Sequence, residues 1–261
     1  MNNRLMSELG FKLNRNSTHT ARTIMLRELT MLFEYIVHQD ATTNDYLNAI
    51  IEDNCLHKRS VSNRHITAKH LVELYALDNR VPIFRALLYL WNRDETSRPL
   101  LALLCAFARD SILHDTAHHF IAALPSTQIT RQDTEQWVND MEPGRFSKVT
   151  LSSTAKNLNS SWTQAGHLVG RVEKTRVTNQ AGPGAITFAL LLAYLSGFRG
   201  VQLFRTEYVK ILDCSEHEAI TLAQNASQKA FLTFKKISDV VEVQFPLFLT
   251  SQDKELLVEQ C

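Results

Sequence analysis

Thr233-Phe234-Lys235-Lys236-Ile237-Ser238-Asp239-Val240-Val241-Glu242-Val243-Gln244-Phe245 reads as two strands around a Ser-Asp turn, because β-branched and aromatic residues fill both arms. The stretch before it has helical periodicity. Over 215–232, Ala219, Ile220, Leu222, Ala223, Ala226 and Ala230 group on one side of a helical wheel. Glu218, Thr221, Gln224, Asn225, Gln228 and Lys229 take the other side. Asp213 or Ser215 supplies the N-cap. A short helix over 205–212 and an apolar helix over 185–196 precede it. Helix, helix, helix, hairpin is the order of a winged helix.

The order occurs once more upstream. A helical segment over 99–124 is bracketed by Pro99 and Pro125, and a short helix follows over 130–141. After a Pro143-Gly144 turn, Leu151, Ala155, Leu158, Trp162 and Ala165 recur at three- and four-residue steps in a helix over 147–168. The alternating basic run from Val169 to Val177 then suits a second hairpin. Gln164-Ala165-Gly166-His167-Leu168 and Gln228-Lys229-Ala230-Phe231-Leu232 lead into the two hairpins in matching positions.

Nearer the N-terminus, Met25, Leu29, Leu32, Phe33 and Ile36 predict a helix over 21–37 with Thr20 as its cap. Tyr46, Leu47, Ile50 and Ile51 mark a second, over 43–54. After the basic turn His57-Lys58-Arg59-Ser60 comes a third, over 62–76, with Ile66, Leu71, Val72 and Tyr75 inward and Asn63, Arg64, Lys69 and His70 outward. Short helices joined by a tight turn predict helix-turn-helix packing. An apolar helix over 84–91 follows the loop at 78–82. The expected fold is mainly α: an N-terminal helix-turn-helix-like bundle over 1–80, then a middle winged-helix unit over 81–180 and a C-terminal one over 181–261, each with a short β-hairpin wing.

Composition is that of an ordinary globular chain, 44% hydrophobic and 21% charged over 261 residues. The net charge of +1 gives no overall basic excess, so any case for nucleic acid rests on local charge. Between 145 and 180 six cations (Arg145, Lys148, Lys156, Arg171, Lys174, Arg176) face one acid, Glu173. Between 57 and 70 there are four cations (Lys58, Arg59, Arg64, Lys69) and no acid. The compensating acids collect over 207–218 and 239–259, so a neutral chain has basic regions.

In a winged helix the third helix can enter the major groove while the wing meets the backbone or the minor groove. The candidate DNA contacts are therefore Lys156, Asn157, Ser160 and Gln164 on the middle helix, with Lys148 at its start, and Gln224, Asn225, Gln228 and Lys229 on the C-terminal one. Arg171, Lys174, Arg176, Lys235 and Lys236 on the hairpins, with Lys58, Arg59 and Arg64, suit phosphates. Against this, most amphipathic helices present such polar faces to water alone.

Catalytic patterns are sparse. His114 and His118 share a helix face beside Asp115 and His119, but no further ligand is close in sequence, so a polar helix end is the better account and no metal is expected. Asp239 and Glu242, with Gln244 beyond, resemble the carboxylate pair of a metal-dependent nuclease without the lysine such sites carry. There is no Gly-x-Ser-x-Gly around Ser161 and no glycine-rich phosphate loop, so neither an enzyme nor a cofactor is expected. Trp162 sits on an apolar stripe and is expected in the core. Cys55, Cys105, Cys214 and Cys261 form no CxxC pair, which fits a reducing compartment. The apolar runs over 100–108 and 185–195 fall short of a bilayer span, and Met1 to Phe11 does not read as a secretory leader. A cytoplasmic location without membrane association is expected.

Arg27-Glu28-Leu29, Asp45-Tyr46 and the run from Ile51-Glu52-Asp53-Asn54-Cys55-Leu56-His57-Lys58-Arg59-Ser60 to Val61-Ser62-Asn63-Arg64 resemble the BrxA family of BREX phage-defence systems. The resemblance extends over roughly the first 170 residues, to the Ser/Thr-rich helix over 150–168, and this chain is longer than the commoner members. It implies a bacterial, non-enzymatic accessory protein that binds double-stranded DNA beside a methyltransferase and an ATPase. An adaptor that holds defence proteins together is the alternative, and a nuclease a more distant one.

Overall fold

Short polar residues set six of the helix starts. Thr42, Ser60, Asp110, Thr130, Ser147 and Ser215 each accept the backbone N–H three residues on, satisfying a donor that the first helical turn leaves open. The computed structural model describes residues 3–12, 16–38, 40–238 and 240–258. In chain order the elements are α1 (Asn3–Leu9), α2 (Leu26–Tyr35), α3 (Thr43–Ile51), α4 (Val61–Tyr75), α5 (Pro82–Trp91), α6 (Arg98–Phe107) and α7 (Ser111–Ala122). Then come β1 (Gln128–Ile129), α8 (Arg131–Met141), α9 (Lys148–Gln164), β2 (Leu168–Val169) and β3 (Lys174–Arg176). The chain continues with α10 (Pro183–Leu195), α11 (Glu207–Lys210), α12 (Glu216–Gln228), β4 (Thr233–Ile237), β5 (Val240–Gln244) and α13 (Ser251–Val258). The protein is mainly helical, with two small antiparallel sheets ordered β1-β3-β2 and β4-β5.

Several features differ from the sequence reading. The first predicted helix starts at Leu26, not 21, because the Asp110 carboxylate draws the Thr18 and His19 N–H groups into a tight turn over Thr18–Thr20. The predicted segment over 99–124 is two helices, broken where Asp110 leaves helical geometry to cap α7. The short helix expected over 205–212 is a 3-10 turn, Gly200–Arg205, followed by α11. β1 was not anticipated, and Ile66, expected inward, is 44% exposed.

Helix α10 is apolar on every side, which obliges burial all round. It packs against α5 and α6 and against α11 and α12. Its N-terminus is closed by the 94–97 turn: the Gly184 N–H donates to Asp94 Oδ2 at 2.7 Å and the Ala185 N–H to Ser97 Oγ at 3.1 Å. A Cβ on Gly184 would lie 2.9 Å from both Asp94 Cβ and Oδ2, so this approach requires glycine. Burial pushes the Asp94 carboxyl up, but hydrogen bonds from the Gly184 N–H and from Thr96 and Ser97 outweigh that and hold it below its ordinary range.

The buried cluster runs without interruption from Leu9 in α1 through α10 to Leu257 in α13, so all three segments of the sequence share it. α13 is fastened to α5 by Arg85, which pairs with Asp253 at 2.5 Å and donates to the Phe248 carbonyl. Among the described residues no helix is long and apolar enough to cross a membrane.

Candidate nucleic-acid interface

The middle unit places α9 beside the β2–β3 hairpin. Ser147 caps α9, and Ala155, Leu158 and Trp162 are buried, Trp162 stacked on Phe120. Strand β3 pairs with both β1 (Gln128↔Thr175) and β2 (Leu168↔Arg176). The loop between β2 and β3 turns at Gly170, whose φ is +100° and where a Cβ would sit 2.1 Å from the Glu173 carbonyl oxygen. No other residue type fits that turn without moving it.

A cleft of about 620 Å³ opens between this loop, β1, the start of α8 and the middle of α9. Arg131, Lys156, Arg171 and Lys174 line it, against the single acid Glu173. Lys156 and Arg171 are exposed, whereas Lys174 is half-buried and donates to the Gly170 carbonyl at 2.6 Å. Burial pushes the Lys174 ammonium down. Lys148 is exposed at the first turn of α9, where the helix dipole disfavours a cation, so helix stability does not account for it.

Three predicted contacts are committed elsewhere. Asn157 Nδ2 donates to the His19 carbonyl at 2.9 Å, and Gln164 Oε1 accepts the Leu26 N–H at 3.1 Å. This face of α9 therefore holds the chain over 17–26 and caps α2, and it is not open to base edges. Arg176 is the third correction: it is buried, with its guanidinium paired to Asp213 and its Nε donating to the Phe120 carbonyl at 2.9 Å. Asp213 also accepts the Asn179 N–H at 2.9 Å, so this arginine ties β3 to the α11–α12 connection and does not meet solvent. Ser160 is half-buried, accepts from Gln164, and still reaches the cleft.

The N-terminal candidates divide similarly. Lys58 pairs with Glu28 at 2.9 Å and Arg64 donates to the Ile51 carbonyl at the end of α3, leaving Arg59 exposed. In the C-terminal unit Gln224, Asn225, Gln228, Lys229, Lys235 and Lys236 are all exposed. Small buried residues Ala219, Ala223 and Ala226 let α12 lie close to α10, which turns this polar face outward. Its first turn is acidic, with Glu218 in a capping box and Glu216 paired to Arg205. The cationic end of this unit is therefore the C-terminal end of α12 with β4, where Lys235 stands opposite Glu242.

The other chemical candidates resolve into packing. His114 stacks on Phe107 and His119 on Trp137, and among the described residues no three His, Cys, Asp or Glu side chains gather into a metal site. Asp239 of the carboxylate pair lies outside the described residues; Glu242 is exposed and accepts from Gln244. Two buried histidine clusters were invisible in the sequence. His19 bridges Asp110 at 3.1 Å and Ser161 at 3.0 Å, in the order of a hydrolase triad. All three are buried, however, and Ser161 Oγ already accepts the Ile24 N–H and donates to the Asn157 carbonyl, so the array joins three segments and is closed to solvent. Burial opposes ionisation of Asp110, but His19, Ser17 and the Leu113 N–H together bring its carboxyl down to about 2. His167 donates to the Ile211 carbonyl at 2.7 Å, and burial pushes its imidazole down to about 4.

The cleft also gathers Gln128, Arg131, Gln132 and Asn159, which sequence reasoning missed. The Thr130–Asp133 capping box locates Arg131 on the first turn of α8, but no local signal places it across from 171–174. No protein-family model matches this chain, and no curated protein matches it significantly.

Proposed function

We propose that this chain is a non-enzymatic protein that binds duplex DNA, its segments over 111–176 and 183–244 acting as winged helices. The supporting order is helix, strand, helix, helix, two strands with the sheet order β1-β3-β2 in the first segment, and three helices with a hairpin in the second. The observation that carries the reading is the cationic set on and beside α9, exposed Lys148, Lys156 and Arg171 with half-buried Lys174, of which Lys156, Arg171 and Lys174 line a cleft with one acid. Lys229, Lys235 and Lys236 would add phosphate contacts from the C-terminal unit. The resemblance to the BrxA family supplies the proposed setting, a bacterial cytoplasmic defence system in which the protein works beside a methyltransferase and an ATPase.

A salt titration of duplex binding by fluorescence anisotropy tests this. Each phosphate contact contributes about 0.9 to the slope of log K against log salt. Replacing Lys156, Arg171 and Lys174 together by glutamine should flatten that slope by about 2 to 3. Affinity that does not respond to salt, or a slope untouched by the triple substitution, overturns the reading and favours an adaptor that binds protein.

A further inference from the structure

We propose that the cleft between the β2–β3 loop and helices α8 and α9 is a binding site for one nucleoside monophosphate unit, free or at the 5′-phosphorylated end of a strand. The inference rests on the DNA-binding reading but assigns this recess a narrower task. A duplex offers its phosphates on a convex, continuous ridge, which outward-pointing cations can meet. A recess of about 620 Å³ instead has the size of small-molecule sites, roughly 300–1,000 Å³.

Its lining is mixed in the way a nucleotide requires. Among the described residues Lys156 and Arg171 have no ion pair and can meet a phosphate, and Lys174 stands beside them, whereas Arg131 is shared with Glu135 at 2.9 Å. Gln128 and Gln132 offer amides for a base edge, and Ile129 and Val172 give apolar surface for its face. Asn159 also lines the recess. Asn159 is only 5% exposed, and Thr134 Oγ donates to its Oδ1 at 2.8 Å. With its oxygen engaged by Thr134, the Asn159 amide can offer Nδ2 to a ligand.

Isothermal titration of the full chain with the deoxynucleoside 5′-monophosphates, with inorganic phosphate, and with unphosphorylated nucleosides tests the proposal. Monophosphates should bind at least about tenfold more tightly than either half alone, and Lys156→Gln and Arg171→Gln should each weaken them about tenfold. Asn159→Asp replaces the amide donor by a negative charge at a 5% exposed position and should abolish binding; a buried carboxylate also lowers stability, so its unfolding midpoint is measured beside it, and Lys156→Gln and Arg171→Gln, at exposed positions, carry the test where it does not fold. Duplexes with 5′-phosphorylated and 5′-hydroxyl overhangs separate the two sources: preference for the phosphorylated overhang over free nucleotides assigns a strand end, and the reverse assigns a free nucleotide. Phosphate binding as tightly as nucleotide, or nucleotide affinity indifferent to all three substitutions, overturns the proposal. Salt-dependent duplex binding without nucleotide binding rejects the cleft site alone; loss of both rejects the DNA reading too.

Discussion

Replacing Asp213 by alanine removes the partner of a guanidinium that is 3% exposed. Arg176 would keep its bonds to the Phe120 and Val177 carbonyls but would hold an uncompensated charge in the interior. Breaking a buried pair from one side costs about 3–5 kcal/mol, because the remaining ion stays desolvated. With a urea m-value of about 3 kcal/mol/M, the unfolding midpoint should fall by roughly 1 M or more. Because the buried cluster is continuous, the loss should register as a shift of one main transition. The double variant Arg176→Met/Asp213→Leu removes both charges and should recover most of the loss. Urea unfolding followed by far-ultraviolet circular dichroism measures all three proteins, and anisotropy on the folded forms measures their DNA affinity. The reasoning fails if Asp213→Ala leaves the midpoint in place. It also fails if Arg176→Gln preserves stability and flattens the salt slope of DNA binding, for then the arginine faces nucleic acid.

The pH dependence has two separate windows. His167 has a folded pKa of about 4, below its ordinary 6.5, so the unfolded chain takes up the proton first as pH falls; stability should decline from pH 6.5 to 4, and His167→Gln should flatten that decline in unfolding midpoints. Asp110, at about 2, contributes stability present above pH 4 and lost as pH falls through 4 towards 2, so Asp110→Asn should remove the steepest part of the acid limb. Gly170→Ala should distort the β2–β3 loop at a cost of about 1–3 kcal/mol and weaken ligands of the cleft more than it weakens the fold, as read by titration and urea unfolding together. Asp94→Ala removes an acceptor at the start of α10 and should lower stability by about 1–2 kcal/mol, with Gly184→Ala producing a loss through the clash its Cβ makes with Asp94.

Local chemistry was legible wherever a residue's role depends on its near neighbours. The apolar faces of α2, α3 and α9, the short hairpin over 233–244 and the core position of Trp162 all follow from periodicity and from hydrogen bonds spanning three or four residues, and Ser215 is one of the two caps the sequence offered for α12. Exposed Lys235, Lys236, Gln224 and Lys156 were readable for the same reason, since each lies opposite an apolar stripe or at a hairpin tip. Asn157, Gln164 and Arg176 were not. A polar residue on an outward face looks alike whether it meets water, DNA or another part of the chain, and their partners, His19, Leu26 and Asp213, lie 138, 138 and 37 residues away.

The order of helices from α2 to α5 and from α8 to α12, the two hairpins, the uneven charge and the identity of most buried residues are properties of the sequence itself, because they are set by backbone hydrogen bonding and by the spacing of apolar side chains. Which cations remain free, how Arg131 comes to face 171–174, and where a strand as short as Gln128–Ile129 can persist depended on the tertiary structure. Those outcomes are decided by desolvation: a charge or amide enclosed by distant segments must be paired there, and only the folded chain brings the segments together.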